Sequence, residues 1–539
     1  MTLPFQSAPL RAALLLTTTL LVGCAGEARS TSTTAQPRPR VVIPTAPPQR
    51  RDVSREASPE AAQPAKAAAA TPAAAEPAHA ITLDGDTSDW KGSTVATSDA
   101  AHAYFRFMVA DQRYTLQSAD HPTSILLDAD SDARTGRKVV LGSVTLGVDI
   151  EAQFSPRTPE GKPGRGSVIY SYDGDAGTRT SAYDWDFACT PTYASDWYEA
   201  RISRTPRGEV SCTKKGLLST GAARGAVATL DASGAPDAWS PVFSFENSPA
   251  QDEPRADIAV PAKPDRAIRV MSYNVLKSSP NAKPQVFQRI LGALQPDIVL
   301  VQEWESRSEA EIADWFNSMI PDDQDGWHVV AIADTVQNGG GVAVVSRYAL
   351  VAESDERPKV PQGAVNAGKP IRAAIALADT PQGVIMLSST HLKSGGSASS
   401  TEDVRRSEEA RAINAIFGSK APRDAIRVIA GDMNLVGSRE PLDILRARID
   451  NDQSDLSAAP TRTLGDATYL TWSENGNAFT PGRLDWLLYS DSSARAVNAF
   501  VLDTSRLSDA ALARAGLTAS DSAEATDHMP VVVDLVPNE

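Results

Sequence analysis

Six short apolar runs in the second half of this 539-residue chain each carry an ionisable or amide side chain at one end. Asn274 closes VMSYN, Glu303 closes IVLVQE, His391 closes IMLSSTH, and Asp432 with Asn434 closes VIAGDMN. Asp485 opens DWLLY, and Asp527 with His528 precedes PVVVDL. Runs of this length, rich in Val, Ile and Leu, read as strands. Strand ends are where a rigid sheet presents side chains to a cleft. One polar residue at such an end is a cap or a turn. The same placement on six strands is hard to attribute to loop chemistry, and it demands a fold that gathers those ends.

Helical patterns alternate with the strands. PQVFQRILGALQ sets Val286, Phe287, Ile290, Leu291 and Leu294 on one side, and VRRSEEARAINAIF reads as a second helix. Residues 266–537 are therefore expected to form an α/β domain. A chain of this length is too long for one core, and two other regimes precede this one. Residues 80–245 hold short alternating runs (YFRFMVA, SILLDAD, VTLGVDIEAQF, GSVIYSYDG, YEARISR) punctuated by turn residues and without helical periodicity. That pattern predicts a β-sandwich, joined to the α/β domain by a linker at 246–265.

The first residues read as a targeting segment. In RAALLLTTTLLVGC, Arg11 precedes an apolar run too short to span a bilayer, so residues 1–23 are expected to be a signal peptide. Leu21-Val22-Gly23-Cys24 resembles the bacterial lipobox. The resemblance implies lipidation of Cys24 and a protein anchored in the bacterial cell envelope, facing the periplasm or the exterior. Residues 24–79 are dominated by Pro, Ala and Ser, cannot bury enough surface to offset their ordering entropy, and are expected to be a disordered tether. With Cys24 lipidated, Cys189 and Cys212 remain. Export favours a disulfide between them; two free buried thiols are the alternative.

LDGDTSDW, LLDADSDARTG and GVDIEAQF resemble stretches of the DOMON-like and carbohydrate-binding-module-like sandwiches of secreted bacterial proteins. This implies a binding role for residues 80–245, without assigning a sugar. Asp128, Asp130 and Asp132 alternate as calcium ligands would, although a solvated acidic turn is the preferred reading of those three.

Formal net charge is -15, which argues against a chain that coats nucleic acid non-specifically. It leaves room for a local basic groove or for a bound cation. No H-E-x-x-H or G-x-S-x-G pattern is present, which removes the common zinc and serine hydrolases. NGGG at 338–341 lacks a Walker lysine.

The six strand-end motifs, in this order, resemble those of the endonuclease/exonuclease/phosphatase superfamily, over residues 266–537. Met433 and Thr526 stand where that pattern commonly has Phe and Ser. The resemblance implies a four-layer α/β sandwich of two mixed sheets flanked by helices, and a divalent-metal-dependent phosphoesterase. It makes Glu303 the principal ligand of Mg²⁺ or Mn²⁺, with Asn274 beside it and Asp527 assisting. It makes His528 the base and Asp485 the carboxylate that orients it. Asp432 would orient water or handle a proton, and Asn434 would bond the phosphate, with Asn274 nearby. His391 would bond a phosphate oxygen or assist the leaving group. Lys393 and Arg372 are further phosphate candidates. The types suit the chemistry, because phosphoester hydrolysis needs charge stabilisation, an activated water and a protonated leaving group.

A nuclease-type phosphodiester is the favoured substrate, since THLKSGG is similar to stretches of secreted bacterial nucleases. A phospholipid head group or an inositol or sugar phosphate is the alternative, as is a non-catalytic surface protein that retains the fold. The expected partners are that substrate and the membrane, through the N-terminal lipid. Nothing in the sequence calls for a protein partner.

Overall fold

Strict alternation of apolar side chains explains how the C-terminal strands stack. In Ile268–Lys277, Ile298–Trp304 and Val531–Pro537, one set of side chains (Val270, Leu300, Val531, Val533) points to one core. The intervening set (Met271, Tyr273, Val299, Val301, Val532) points to another. A strand buried on both faces must lie in an inner layer.

The computed structural model describes residue 79 and residues 81–538, apart from 110–114, 213–216, 306, 322–325, 334–339 and 355–356. All of these lie in one compact unit, Thr71–Glu539. The expected signal peptide, Cys24 and residues 24–78 of the tether lie outside the described residues. No described helix is long and apolar enough to cross a membrane.

Among the described residues the C-terminal region has two mixed sheets. The first runs His328–Ile332, Gly341–Ser346, Ile298–Trp304, Ile268–Lys277, Val531–Pro537, Ala494–Val501, Arg462–Thr463. The second runs Leu350–Ala352, Ala373–Thr380, Gly383–His391, Ile426–Asp432, Asp485–Tyr489, Ser457–Ala458. The sheets face each other across an apolar core made mainly of Val, Ile, Leu and Ala. Helices Pro284–Leu294 and Glu309–Met319 cover the outer face of the first, the latter started by a Ser308/Glu311 capping box. Thr401–Lys420 and Glu440–Arg446 cover the second. The result is the expected α/β four-layer sandwich. Every strand that carries a candidate residue at its end is among the central strands of its sheet.

Among the described residues, 81–247 form two packed sheets and a two-stranded hairpin, Arg137–Leu141 with Val144–Val148. The smaller runs Ala96–Ser98, His102–Met108, Trp197–Ser203, Ala188–Thr190. The larger is built around Gly221–Leu230, Thr123–Asp128, Ile150–Phe154 and Ser167–Asp173. Phe105, Phe154, Trp185 and Phe187 fill the space between them. Cys189 and Cys212 sit in that same core as free, buried thiols, so the expected disulfide is not formed. Each packs as a small apolar group. Burial pushes Cys212 up to about 12 and Cys189 well above its ordinary value, which keeps both thiols protonated.

The sandwich rests on the 463–482 segment of the α/β region. Leu83, Ala188 and Leu470 share a small core. Ser167 N–H donates to the Ala478 carbonyl at 2.7 Å, and Tyr183 Oη to the Phe479 carbonyl at 3.0 Å. Arg201 reaches Asp466 with Nη1 at 2.6 Å, and Arg506 reaches back to Asp186 with Nη2 at 2.7 Å. The connecting residues 246–265 are held as well: Ala256 N–H donates to the Arg506 carbonyl at 2.8 Å, and Lys263 Nζ donates to Asp297 at 2.6 Å.

Candidate active site

Two strands reach the site through irregular ends. In Ile298–Trp304 the register to Gly341–Ser346 slips between Gln302 and Trp304, leaving Glu303 as the extra residue of a bulge. Its backbone is left-handed, with φ +60. That conformation turns the carboxylate out of the ladder and carries strain of roughly 1–3 kcal/mol in a non-glycine residue. Gly340 makes the turn possible, because a Cβ there would lie 2.5 Å from the Glu303 carbonyl oxygen. Ile268–Lys277 likewise loses register after Asn274. In the second sheet, Gly431 precedes Asp432 at φ +147, and a Cβ on it would meet the Thr390 carbonyl oxygen at 1.8 Å. The glycine thus brings the Asp432 and His391 strand ends into direct register.

The side chains converge from both sheets. Asp485 Oδ2 lies 2.7 Å from His528 Nδ1, and both groups are buried. His528 Nε2 is thereby turned toward Asp432 Oδ2 at 3.8 Å, with Asn274 Nδ2 3.4 Å away. Asn274 Nδ2 also donates to Asp432 Oδ2 at 3.2 Å, and Asn274 hydrogen-bonds Glu303. His391 Nε2 is 3.5 Å from both Glu303 Oε1 and Asp432 Oδ2, and its Nδ1 is buried without a hydrogen-bond partner. Glu303, His391 and Asp432 each offer a ligand atom within 4.8 Å of the others. Asn434, at φ +47, donates Nδ2 to the Leu392 carbonyl at 3.2 Å, and its N–H donates to Asp432 Oδ1 at 3.0 Å.

Three further expected residues stand at the margin of this group, close enough for their charges to act on it. Asp527 stands outside the Glu303–His391–Asp432 group; its Oδ2 accepts from Trp472 Nε1 at 2.9 Å and its Oδ1 from the Thr526 hydroxyl at 3.2 Å. Lys393 Nζ donates to the Ser394 carbonyl at 2.8 Å, at the rim. Arg372 donates Nη2 to the Leu392 carbonyl at 3.1 Å, close enough for its charge to act on His391 and Glu303.

The electrostatics follow from burying so many charges together. Burial, opposed by His528 and reinforced by Asp485 and Glu303, pushes Asp432 up to about 7. Burial also raises Glu303, with Asp527 adding and Asn274 and His528 opposing. For His528, burial works against the imidazolium, but Asp485, Asp432 and Asp527 outweigh it and raise it to about 10. Burial, with Arg372, His528 and Lys393, holds His391 well below its ordinary value, so this second ring is neutral. The two histidines are thus driven apart, His528 toward the imidazolium and His391 toward the neutral ring with a lone pair to offer.

Thr471 and Trp472 are the residues that motif reasoning missed. Thr471 Oγ1 accepts the N–H groups of Leu484 and Asp485 at 3.0 and 2.9 Å, fixing the start of the Asp485 strand. Trp472 fixes Asp527. Neither lies in a periodic run, so no sequence pattern marks them.

In the sandwich, the candidate cation group differs from the one expected. Asp128, Asp130 and Asp149 each offer an oxygen within 4.8 Å of the others, whereas Asp132 turns to Arg134, with Oδ2 2.6 Å from Nη2. Asp128 Oδ2 is taken by Arg224 and by the Gly147 N–H, and its Oδ1 is buried without a partner. Burial, with Asp130 and Asp128 adding, pushes Asp149 up to about 7.

No curated protein matches the chain. Among solved structures, it is similar to an endonuclease/exonuclease/phosphatase from Beutenbergia cavernae DSM 12333 (18% identity, 51% of this chain and 72% of that one, TM-score 0.35). It is also similar to the human Nocturnin catalytic domain with bound sulfate (18%, 51% and 97%, TM-score 0.34). A third is the 3' phosphatase NExo from Neisseria bound to a product DNA hairpin (16%, 50% and 98%, TM-score 0.34). Residues 271–528, which hold every candidate side chain from Asn274 to His528, match the Endonuclease/Exonuclease/phosphatase family and form a domain that belongs to it.

Proposed function

We propose that this phosphoester hydrolase cleaves a phosphodiester of the nucleic-acid type, with a divalent cation at Glu303 and water activated by the Asp485–His528 pair. The observation that carries the reading is the 2.7 Å Asp485–His528 contact, with Nε2 aimed at the pocket that Asp432, Asn274 and Glu303 share. Asp485 fixes which nitrogen faces the pocket and stabilises the imidazolium; a cation beside Asp432 and Glu303 would offset the carboxylates that raise His528 and free Nε2 to take a proton from water. Asn274 and Asn434 lie where they can donate to phosphate oxygens, and Arg372 and Lys393 add positive charge at the rim.

The residues fit a hard cation. Buried carboxylates with raised pKa values gather around one point, and a cation there would draw both back toward ionisation. Glu303 would hold Mg²⁺ or Mn²⁺, with Asn274 and Asp527 assisting. When bound, the ion supplies charge stabilisation on non-bridging oxygens. Asp128, Asp130 and Asp149, with the unpartnered Asp128 Oδ1, would suit Ca²⁺ in the sandwich.

A cleft of about 200 Å³ supports the substrate class. Asn434, Trp472, Phe479 and Leu484 line it together with Gln117, Arg165 and Thr192 of the sandwich. An apolar, aromatic cleft with an arginine beside a phosphate site suits a flat base better than a lone small phosphate. On this reading the sandwich belongs to the substrate site.

Full-length protein with Mg²⁺ should nick plasmid DNA or degrade RNA and leave sphingomyelin intact. Turnover surviving in excess chelator would refute the cation, and turnover of sphingomyelin alone would refute the nuclease reading. We also propose that the protein is a lipid-anchored protein of the bacterial envelope. Cys24→Ser should move it from the membrane fraction to the soluble one; a wild type already soluble and unacylated by mass spectrometry removes that proposal.

A further inference from the structure

About the junction between sandwich and α/β region, three side chains that the phosphoesterase site does not use come together: His79, His102 and Glu253. Each offers a ligand atom within 4.8 Å of the other two. They come from three separate places in the fold. His79 is the first described residue, His102 opens the strand His102–Met108, and Glu253 lies in the connector.

Their hydrogen bonding is incomplete in a consistent way. His79 Nδ1 faces Tyr104 Oη at 3.3 Å and Asp99 Oδ2 at 3.5 Å, while its Nε2 is buried without a hydrogen-bond partner. His102 Nε2 is engaged by Asp186 Oδ2 at 3.0 Å and lies 4.0 Å from Glu253 Oε2, while its Nδ1 is buried without a hydrogen-bond partner. Glu253 Oε2 accepts from Arg506 at 3.0 Å, while its Oε1 is buried without one. His79 Nε2 and Glu253 Oε1 stand 3.5 Å apart, and the two imidazole centroids 6.3 Å apart. Buried polar atoms in native proteins are almost always satisfied, so three neighbouring residues that each keep one unpartnered buried atom leave capacity for an occupant. Each ring has one nitrogen oriented by a carboxylate or phenol and the other left open. That is the arrangement in which outer partners fix a metal-ligating histidine.

We propose that the His79 and His102 imidazoles and the Glu253 carboxylate bind a divalent transition-metal ion of the Zn²⁺ class. Two imidazoles and one carboxylate are a three-protein-ligand set for tetrahedral zinc, and nitrogen donors select against Mg²⁺ and Ca²⁺. The fourth position falls to water from the adjoining cavity of about 480 Å³, which His102, Glu253 and Arg506 line. The ion is a clasp. It ties the segment entering the sandwich to a sandwich strand and to the connector, and through Arg506 it is linked to the α/β region.

The test uses full-length, tag-free protein, stripped of metal, dialysed against ZnCl₂ and analysed for bound zinc. Glu303→Ala serves as the background, so that uptake at the phosphoesterase site is not counted. In that background one tight Zn²⁺ should remain, unaffected by a large excess of Mg²⁺. Adding His79→Ala, or the isosteric Glu253→Gln, should remove it, with affinity falling more than about 100-fold, since even outer partners of a metal cost 10–100-fold. Circular dichroism of each variant establishes that the fold persists. Equal zinc content with and without these substitutions, or displacement by Mg²⁺, overturns the proposal.

Discussion

At Glu303 two demands conflict. The backbone at φ +60 favours glycine, and burial, with Asp527 adding, raises the pKa of the carboxylate. Function asks for the side chain where stability does not. Glu303→Ala should therefore abolish Mg²⁺-dependent turnover and leave circular dichroism unchanged. Glu303→Gly should be equally inactive yet more stable than wild type by about 1 kcal/mol in denaturant melts run with chelator. A melt showing Glu303→Gly destabilised would refute the strain argument. His528 and Asp485 should behave as a unit: each change to Ala or Asn costs about 10⁴-fold in kcat, and both together cost little more. Losses that multiply would assign them independent roles. The pH dependence has a definite sign. Asp485 raises His528, so Asp485→Asn lowers it, and the ascending limb of the pH–rate profile should move toward acid even as the rate falls. A limb that stays in place would mean His528 is not the titrating base.

Elements place these residues by close backbone approach as much as by pattern. At Gly431 the Ile426–Asp432 and Gly383–His391 strands approach closely, with no room for a methyl group against the Thr390 carbonyl. Gly431→Ala combines a disfavoured φ with overpacking and should destabilise by about 3 kcal/mol or more. The midpoint of chemical denaturation measures this directly. Since the same displacement moves Asp432 and His391, activity should fall even at temperatures where the variant stays folded. A variant with wild-type stability would show that the strands can part without cost.

For the whole molecule, the junction is a buried charge network. Arg201 and Asp466 are 0% and 1% exposed, and Arg506 and Asp186 extend the network between the two regions. Removing one member strands a buried charge, so Asp466→Ala should cost roughly 3–5 kcal/mol in thermal or denaturant unfolding. Burial opposes ionisation of Asp466 and Asp186, but the two arginines hold both below the usual value of 3.8. A depressed carboxylate contributes stability above its unfolded value and loses it as pH falls. Unfolding should therefore become easier below about pH 4, and Asp466→Ala should flatten that dependence. Excising residues 260–539 would expose Leu470 and Asp466, so the fragment should be less stable and less soluble than the full chain.

Much of this fold was legible in the linear order of residues, because strands and helices answer to local spacing. Period-two apolar runs with polar ends marked the six site strands, and the spacing of Val286, Phe287, Ile290, Leu291 and Leu294 marked a helix. Contacts between distant segments have no such local signature. That Thr471 and Trp472 steady the site, that Asp149 and not Asp132 joins Asp128 and Asp130, and that Cys189 and Cys212 stay unpaired all depend on which surfaces meet. So does the seat of the sandwich on residues 463–482. Residue order determined the elements and the chemical types at their ends. Tertiary packing decided their partners, because a buried charge or an unpaired donor is resolved only by whatever the fold brings beside it.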